Sequence, residues 1–346
     1  MGKLIKSEKL KRGDKIATVS LSWGGAGDKS IKDRYFIGKK RLENIFGLKV
    51  IEMEHTLKGS EYVYNHPKER AEDLMRAFLD SEIKAIISCI GGEDTIRLLP
   101  YIDFEVIKNN PKIFMGYSDT TANHYMCYKA GLSSFYGPAI LTDFAENVEM
   151  SEYTIDSIMK TLFSDTVIGD IAQSKEWTAE LLPWNDINNN NIKRTFKENT
   201  GYELLQGNKT VRGHLIGGCL EVLEMIKGTE LFPKLEDFDG AILFFETSEE
   251  TPKPEYIRWW FRNYGASGIL NRVNGIIFGK PKGEVCYEEY KEEILKVLKE
   301  YNREDIPVLY NLSFGHCEPK FLIPYGAMAE INSEEVSFSI LESGCR

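Results

Sequence analysis

The sequence lacks several features that mark specialised classes of protein. Its six cysteines include no pair with CxxC spacing, which predicts reduced thiols in a cytoplasmic protein. No apolar run approaches the roughly 18 residues of a membrane span, and no apolar segment follows the basic N-terminal stretch as it would in a signal peptide. The histidines, cysteines and carboxylates nowhere show the spacing of metal ligands, so we expect neither a metal nor another cofactor.

Positive charge is also scarce. The 346 residues include 43 Lys and Arg against 53 Asp and Glu, which gives a net charge of −10. Because nucleic-acid binding relies on a basic surface, an acidic chain is a poor candidate for it. We therefore expect neither a nucleic acid nor a membrane as a partner.

The sequence does contain an alternation of strand-like and helix-like segments. Strand-like apolar runs occur at 16–22, 48–54, 84–92 and 112–118, and helix-like segments at 34–46 and 66–80. Such alternation predicts βαβ units and a parallel sheet. It fades after about residue 165 and resumes near residue 211, so we expect two α/β domains, residues 1–165 and 211–346. The polar segment 166–210 between them, with its Asn-rich run at 185–191, is expected to be a linking loop.

Residues suited to catalysis follow four of the predicted strands. In an open parallel sheet, binding sites form beyond the carboxyl ends of the strands. The residues at these positions are Ser118 after KIFMGY, Gly91 and Gly92 after KAIISCI, Glu246 at the end of AILFFE, and His316 after PVLYNLSFG. Together they supply a nucleophile, a glycine turn, a carboxylate and an imidazole.

These residue types fit acyl transfer. A serine hydroxyl becomes nucleophilic when a base takes its proton, and histidine suits this role because its pKa lies near neutrality. A carboxylate on the other ring nitrogen fixes the tautomer and stabilises the imidazolium. The N–H groups of Gly92 and of Asp119, which begins a predicted helix, are suited to bind the oxyanion of the tetrahedral intermediate.

The local sequence leaves other interpretations open. Ser118 and Asp119 are also good helix N-caps, and Thr120 stands where the nucleophile elbow G-x-S-x-G has its second glycine. Other carboxylates and histidines compete for the remaining two roles. They are Glu249, Glu250, His55, His66, His124 and His214.

Two weaker signals point to different chemistry. The stretch WGGAGDKS is similar to a phosphate-binding loop, but it lacks the glycine before Lys29, so a tight turn between strand and helix is the better interpretation. Cys317 would supply a thiol beside His316, but adjacent residues of an extended segment point to opposite sides. We expect neither to take part in catalysis.

Five longer motifs resemble those of one enzyme family. They are GYSDTT, FYGPAIL, HLIGGCLEVL, ILFFETSEE and SFGHCEPKFLIPYG, in this order across nearly the whole chain. Together they are similar to the LD-carboxypeptidases, serine peptidases whose Ser-Glu-His triad is split across two domains. The resemblance implies Ser118 as nucleophile, His316 as general base and Glu246 as its orienting partner. It also implies an oxyanion hole from the backbone of Gly92 and Asp119.

The resemblance carries expectations about architecture and assembly as well. It implies an N-terminal domain with a flavodoxin-like parallel sheet and flanking helices. A smaller C-terminal α/β domain of swivelling, partly barrel-like form would follow, with 166–210 serving as a substrate loop. The family resemblance also implies a homodimer.

The family has two branches with different substrates. One trims the terminal D-alanine from muropeptides during cell-wall recycling, and the other provides immunity to microcin C by cleaving the amide between an aspartyl group and a modified AMP. The segments IGG followed by LLPYID, and EWTAELLPW, are more similar to the second branch. This implies that Gly91 and Trp184 contact the substrate, with Trp177 as the alternative tryptophan. Stacking of a base on an aromatic ring is worth roughly 1–3 kcal/mol.

Three residues depart from what this resemblance leads us to expect. Cys219 stands in place of asparagine, Tyr202 in place of tryptophan and His214 in place of arginine. They bear on the substrate more than on the triad, so muropeptide carboxypeptidase activity remains the alternative function. A non-catalytic protein with two lobes around a cleft is a more distant one. Packing of the loop onto the body is the alternative role for Trp184.

Overall fold

The computed structural model describes residues 4–346, which form two large sheets, one short hairpin and flanking helices. The strands are β1 (Lys15–Val19), β2 (Lys49–Glu52), β3 (Ile83–Ser88), β4 (Ile113–Gly116), β5 (Phe135–Tyr136), β6 (Gly169–Asp170), β7 (Glu176–Trp177), β8 (Lys197–Glu198), β9 (Glu203–Gln206), β10 (Thr210–Cys219), β11 (Ile242–Glu246), β12 (Gly275–Gly279), β13 (Val308–Leu312), β14 (Ile323–Pro324), β15 (Met328–Asn332) and β16 (Ser337–Ile340).

The α-helices alternate with these strands through most of the chain. They are α1 (Lys32–Asn44), α2 (Ser60–Asn65), α3 (Pro67–Leu79), α4 (Phe104–Asn109), α5 (Thr120–Lys129), α6 (Glu152–Leu162), α7 (Leu220–Ile226), α8 (Pro254–Ala266) and α9 (Tyr287–Glu300). In the described part of the chain, none of them is long and apolar enough to cross a bilayer.

The N-terminal sheet has the strand order β14-β5-β4-β3-β1-β2. Strands β1 to β5 are parallel, and β14 pairs antiparallel with β5 at the edge. With α1 after β1, α3 before β3 and α5 after β4, this sheet confirms the predicted α/β class. The apolar run at 135–141 yields only a two-residue strand, since Pro138 has no N–H for a ladder and a π-helical turn, Ile140–Phe144, follows it.

The C-terminal sheet has the order β6-β16-β15-β10-β11-β12-β13-β9. Its central strands β10 to β13 are parallel, and antiparallel strands flank them on both sides. All five side chains of β11 are buried, as expected for a central parallel strand covered on both faces. The two-domain α/β fold expected from the sequence is thereby confirmed.

The segment 166–210 is more ordered than its composition predicts. It contributes β6 and β9 to the edges of the C-terminal sheet and forms the antiparallel hairpin β7–β8. A 3₁₀ turn, Ile187–Asn191, occupies the Asn-rich run. Strands of two to four residues are too short to show a hydrophobic period, which explains why the sequence pattern does not reveal them.

Aromatic residues join the two sheets. The ring of Phe244 on β11 packs against Tyr136 of β5 and against Tyr325, with centroid distances of 5.6 Å and 5.1 Å. The hydroxyls of Tyr325 and Tyr125 both donate to the carbonyl of Gly217, at 2.9 Å and 3.1 Å. This contact brings the carboxyl ends of β4 and β11 into the same region of the molecule.

Candidate active site

Ser118 occupies a sharp turn between β4 and α5. Its φ angle of 62° lies in the left-handed region, which is costly for a non-glycine residue and typical of a nucleophile held on an elbow. A Cβ on Gly91 would come within 2.8 Å of the Ser118 Cβ, so only glycine fits beside the serine. Asp119 precedes α5, and its side chain makes no capping hydrogen bond. This geometry favours the role of a nucleophile over that of a helix cap.

His316 and Glu246 form a buried pair. Glu246 is the last residue of β11, and its Oε2 lies 2.6 Å from Nδ1 of His316, which follows β13. The side chain of Glu246 is 0% exposed and that of His316 is 5% exposed. A Cβ on Gly315 would lie 2.6 Å from Glu246 Oε2, so the approach of the histidine segment to this carboxylate depends on glycine.

Tyr136 connects this pair to the serine turn, a role that the sequence did not indicate. Its hydroxyl donates to Glu246 Oε1 at 2.5 Å and accepts from the Ser118 N–H at 3.1 Å. Burial, reinforced by the nearby Glu246, raises the pKa of Tyr136 well above its ordinary value. The phenol therefore stays protonated and donates, and Glu246 has one partner for each oxygen.

A second carboxylate, Glu249, contacts the other ring nitrogen of His316. Its Oε2 lies 3.0 Å from Nε2 but off the direction of the ring N–H, so this buried nitrogen has no hydrogen-bond partner among the described residues. Burial alone would lower the pKa of His316, but Glu246 and Glu249 outweigh it and raise the pKa to about 10. Contact with His316 lowers the pKa of Glu249 to about 2.

The expected oxyanion donors lie in turns next to the serine. Among the described residues, neither the Gly92 N–H nor the Asp119 N–H donates a hydrogen bond to the rest of the chain. The Asp119 carboxylate accepts from the Ser22 hydroxyl at 2.6 Å and from the Thr95 N–H at 2.8 Å, which holds the turns together. A Cβ on Gly92 would lie 2.3 Å from Ser22 Oγ. Both N–H groups are therefore available to a ligand.

A cavity of about 830 Å³ opens over Ser118 and His316. Its volume lies within the roughly 300–1,000 Å³ of small-molecule sites. The other residues singled out from the sequence that line it are Gly91, Gly92, Trp184, Cys219, Glu249 and Glu250. Its walls come from turns of the N-terminal sheet, from the 166–210 segment and from residues that follow β10, β11 and β13.

Two tryptophans face each other in this cavity. Trp184 and Trp23, which lies in the turn after β1, have ring centroids 6.2 Å apart and planes inclined by 20°. The guanidinium of Arg34 lies over the Trp184 ring, 4.9 Å from its centroid. Trp177 is buried under the Lys280 ammonium group and does not line the cavity. The sequence did not reveal Trp23 as a site residue, because the stretch WGGAGDKS that it begins was interpreted as a turn between strand and helix.

A buried charge network underlies the cavity. Lys320 Nζ contacts Asp143 Oδ1 and Glu318 Oε1, both at 2.9 Å. Arg194 reaches Glu318 Oε2 at 3.2 Å and also pairs with Glu146. Burial opposes ionisation of Glu318, but Lys320 and Arg194 outweigh it and hold the pKa of that carboxyl well below its usual range. The network ties Arg194 of the 166–210 segment to the chain segment that follows His316.

The other histidines lie outside the cavity, each with its own partner. The partners are the Asp73 carboxylate for His55, the Tyr62 carbonyl for His66, the Ser134 hydroxyl and Gly116 carbonyl for His124, and the Asp237 carbonyl for His214. Burial lowers the pKa of His124 to about 3, so it stays neutral at physiological pH.

Of the three family departures, Cys219 alone lines the cavity. It lies opposite Glu246 in the β10–β11 register, and its N–H donates to Thr121 Oγ1 at 3.2 Å. Tyr202 is buried elsewhere and donates to the carbonyl of Ile171 at 3.1 Å. His214 lies within β10, so only the cysteine is placed to affect a ligand directly.

The weaker sequence signals have structural explanations. The WGGAGDKS stretch forms a 3₁₀ turn, Gly25–Gly27, and Asp28 accepts from the Ser60 N–H at 2.7 Å. Cys317 Sγ lies 3.4 Å from the carbonyl oxygen of Pro281, and burial raises the pKa of its thiol to about 11. Within residues 4–346, no three His, Cys, Asp or Glu side chains are grouped so that they could hold a metal ion.

Comparison with known proteins gives matches over both halves of the chain. The LD-carboxypeptidase N-terminal domain matches residues 16–137, and the LD-carboxypeptidase C-terminal domain matches residues 212–331. The microcin C7 self-immunity protein MccF of Escherichia coli is 31% identical over 313 residues, 90% of this chain and 89% of that protein. The probable murein peptide carboxypeptidase of Bacillus subtilis is 31% identical over 286 residues, 82% of this chain and 79% of that protein.

Solved structures share the fold over nearly the full length. An MccF-like protein from Streptococcus pneumoniae in complex with AMP has a TM-score of 0.87 and 36% identity, covering 95% of this chain and 98% of that one. MccF in complex with aspartyl sulfamoyl adenosine has a TM-score of 0.85 and 28% identity, covering 99% of this chain and 100% of that one.

Proposed function

The chain belongs to the LD-carboxypeptidase family of serine peptidases, and from this premise we propose that it is an amidase that separates an aminoacyl group from a nucleotide. The acyl group that the sequence resemblance implies is aspartyl, as in toxic aminoacyl-adenylate mimics of the microcin C type. One observation carries the proposal: Ser118 and His316, which is bonded to the buried Glu246, line the same cavity as two tryptophans.

The first half of the proposed reaction forms an acyl-enzyme. Ser118 Oγ attacks the carbonyl carbon of the amide while Nε2 of His316 takes the hydroxyl proton. Glu246 holds Nδ1 protonated, so Nε2 is the nitrogen that accepts. The N–H groups of Gly92 and Asp119 stabilise the oxyanion. The C–N bond then breaks, and the proton on Nε2 moves to the departing nitrogen.

The second half releases the acid. Water attacks the acyl-serine and gives a proton to Nε2 of His316, and the same two N–H groups bind the second oxyanion. Ser118 Oγ leaves and regains its proton from the imidazolium. For either step, Nε2 has to be free of its proton and of the Glu249 carboxylate beside it.

The nucleotide part of the substrate is assigned to the tryptophan end of the cavity. An aromatic ring offers a base a stacking surface worth roughly 1–3 kcal/mol, whichever base it is. Trp184 and Trp23 both present rings there. Two structures of relatives, bound to AMP and to aspartyl sulfamoyl adenosine, support a nucleotide-bearing substrate.

A second candidate is the removal of D-alanine from a muropeptide. It is favoured by the family description and by the similarity to the Bacillus subtilis murein peptide carboxypeptidase. The same serine chemistry would apply, but the tryptophans would then contribute only to packing. A homodimer and a cytoplasmic location stay predictions under either function.

Mass spectrometry of two incubations tests the proposal. One contains aspartyl and alanyl sulfamoyl adenosine, and the other contains a muropeptide tetrapeptide. We expect release of the free amino acid from the nucleosides and no release of D-alanine. D-alanine release alone would instead assign the chain to muropeptide recycling.

Matched variants identify the nucleophile in the same assay. Ser118→Ala and His316→Ala are expected to abolish turnover with the fold intact, whereas the exposed Ser81→Ala should leave it unchanged. Glu246→Gln should cost less, but still orders of magnitude in rate. Near-wild-type turnover by Ser118→Ala would contradict the triad. Ligand-induced stabilisation without any label from a serine-reactive probe would indicate a non-catalytic binding protein.

A further inference from the structure

A buried arginine outside the cavity lining joins two of the turns that surround the serine. Arg70 lies on α3, and its side chain is 1% exposed. Its Nη1 donates to the carbonyl oxygens of Leu21 and Ser22 in the turn after β1, at 3.0 Å and 3.2 Å. Its two terminal nitrogens also donate to the two carboxylate oxygens of Asp94, at 2.8 Å and 3.2 Å. One guanidinium therefore holds the turn after β1 against the turn after β3.

These two turns meet at the expected oxyanion donor. The main-chain N–H of Trp23, after β1, donates to the carbonyl oxygen of Gly91, after β3, at 3.0 Å. A Cβ on Gly92 would lie 2.9 Å from the Trp23 nitrogen, so the two backbones touch at this residue. The turn after β4 is attached as well, because the Ser22 hydroxyl donates to Asp119 Oδ2 at 2.6 Å. The position of the Gly92 N–H relative to the nucleophile therefore depends on how the turns are held together.

A second arginine binds the same carboxylate but does not join the turns. Nη1 of Arg97 lies 2.8 Å from Asp94 Oδ2, and the Arg97 side chain is 38% exposed. Its other hydrogen bond goes to the carbonyl oxygen of Tyr64, and among residues 4–346 it donates to no atom of the turn after β1. Without Arg70, Asp94 would still have a cation. The contribution specific to Arg70 is therefore its bridge to the turn after β1.

The orientation of the Arg70 guanidinium has a cost. Its Nε is buried and has no hydrogen-bond partner in the part of the chain that the structure describes. A buried donor without a partner is unfavourable, so an orientation that leaves one is expected only where the other nitrogens are needed. Here the terminal nitrogens are directed to the turns. Oxyanion donors stabilise a transition state only when they are fixed in place before the reaction, and a displacement of about 1 Å can cost a hundredfold in rate.

We propose that Arg70 is a positioning residue for the oxyanion hole. It fixes the turn that carries the Gly92 N–H by tying Asp94 to the turn after β1. This inference rests on the proposed amidase function, in which that N–H binds the negative charge that develops on the carbonyl oxygen. Because this charge is present in the transition state and not in the bound substrate, the contribution of Arg70 belongs to kcat and not to KM.

Steady-state hydrolysis of alanyl sulfamoyl adenosine by arginine variants tests this inference. Arg70→Met is expected to lower kcat about a hundredfold, with KM changed less than about threefold. Arg70→Lys should lower kcat about tenfold, because an ammonium keeps the charge beside Asp94 but cannot span both turns as the guanidinium fork does. A rise in KM with kcat unchanged in Arg70→Met would overturn the inference.

Two matched arginines serve as controls. Arg97→Met removes a cation from the same carboxylate but leaves the bridge to the turn after β1, so kcat should fall less than about threefold. Arg76→Met changes an exposed arginine of the same helix, outside the cavity lining, and should leave kcat unchanged. Equal losses of kcat in Arg70→Met and Arg97→Met would show that only the charge beside Asp94 matters, which would contradict the bridging role.

A fluorophosphonate probe separates positioning from general damage to the fold. Ser118 Oγ displaces fluoride from phosphorus, and the phosphoryl oxygen of the adduct occupies the oxyanion position. At a temperature where thermal unfolding shows the variant to be folded, labelling of Arg70→Met should slow by about the same factor as kcat. Calorimetric binding of the nucleoside to Ser118→Ala, with and without Arg70→Met, should agree within about threefold. Loss of binding together with labelling would overturn the inference, and Arg70→Lys carries the same test if Arg70→Met does not fold.

The same probe distinguishes this inference from the proposed function. Labelling that depends on Arg70, without hydrolysis of any aminoacyl sulfamoyl adenosine by the wild type, would keep the inference and refute the proposed substrate. Hydrolysis by the wild type with equal labelling of Arg70→Met would keep the amidase proposal and refute the inference.

Discussion

The cavity contains two kinds of charged cluster, and they differ in burial and in pairing. At one, Arg194, Glu146 and Glu318 have side chains at most 10% exposed and bind one another, with Lys320 fully enclosed beneath them. At the other, the side chain of Glu249 is 61% exposed, and its contact is the histidine that the reaction needs. Paired, buried charges fix geometry, whereas an exposed carboxylate with a single ion-pair contact is free to respond to a ligand.

The same distinction applies to the carboxylate that we propose orients the catalytic base. Glu246 is fully buried and has a partner for each oxygen, Tyr136 and His316, so its position is determined by the protein alone. Glu249 contacts the same ring but can rotate into the cavity.

The largest expected effect is on stability, in Lys320→Met. Removing this ammonium leaves Asp143 buried without its cation and Glu318 with Arg194 alone, which we expect to cost about 3–5 kcal/mol in the free energy of unfolding. Lys15→Met breaks the exposed pair with Glu82 and should change stability little. Urea unfolding of both variants measures the difference. Equal unfolding midpoints would contradict the distinction between the two kinds of cluster.

Tyr136→Phe removes one partner from the buried Glu246. Hydrogen bonds to charged groups are worth about 1.5–3 kcal/mol, so we expect kcat to fall roughly tenfold to a hundredfold with KM little changed. Tyr136 would then be a positioning residue that acts through the carboxylate. Tyr325→Phe removes an equally buried hydroxyl, bonded to a carbonyl, and serves as control. A loss of kcat shared by both variants would indicate a general packing effect.

Much of the fold could be predicted from local sequence, whereas three of the site residues needed the strand-end rule together with the family resemblance. Continuous apolar runs marked the central parallel strands, since strands buried on both faces need no polar alternation. The rule that sites form beyond strand ends then singled out Ser118, Glu246 and His316. The structure places Ser118 and His316 in one cavity and bonds His316 to Glu246.

The missing parts of the site depend on contacts between distant segments. Tyr136 reaches Glu246 across 110 positions of the chain, and no periodicity in its own strand reveals this contact. Trp23 belongs to a turn and Arg34 to the helix α1, and no local pattern in either segment marks a residue of the site. Their meeting with Trp184 arises only when the 166–210 segment folds back over the N-terminal sheet.

The comparison between exposed and buried groups also applies to two tryptophans of the 166–210 segment, Trp184 and Trp177. Trp184→Ala is expected to raise KM for an aminoacyl sulfamoyl adenosine by roughly 5-fold to 100-fold, the equivalent of about 1–3 kcal/mol of base stacking, with stability little changed. Trp177→Ala removes a buried ring and should lower the unfolding midpoint instead. Steady-state kinetics and thermal unfolding of both variants separate the roles. An unchanged KM in Trp184→Ala would favour packing and a muropeptide substrate.

The smallest expected effect is a pH shift in Glu249→Gln. Because the folded pKa of His316 is about 10, above its ordinary 6.5, the protonated ring stabilises the fold fully below pH 6.5 and loses this effect as the pH rises to about 10. Catalysis needs the neutral ring, so kcat/KM of the wild type should rise from pH 7 towards 10. Removing the Glu249 charge lowers the pKa of His316, but solvent screens this exposed carboxylate, so the rising limb should move to lower pH by less than about one unit. Glu255→Gln, an exposed change at the start of α8, should leave the rising limb of the pH profile in place. If the limb also stays in place in Glu249→Gln, Glu246 alone sets the protonation of His316.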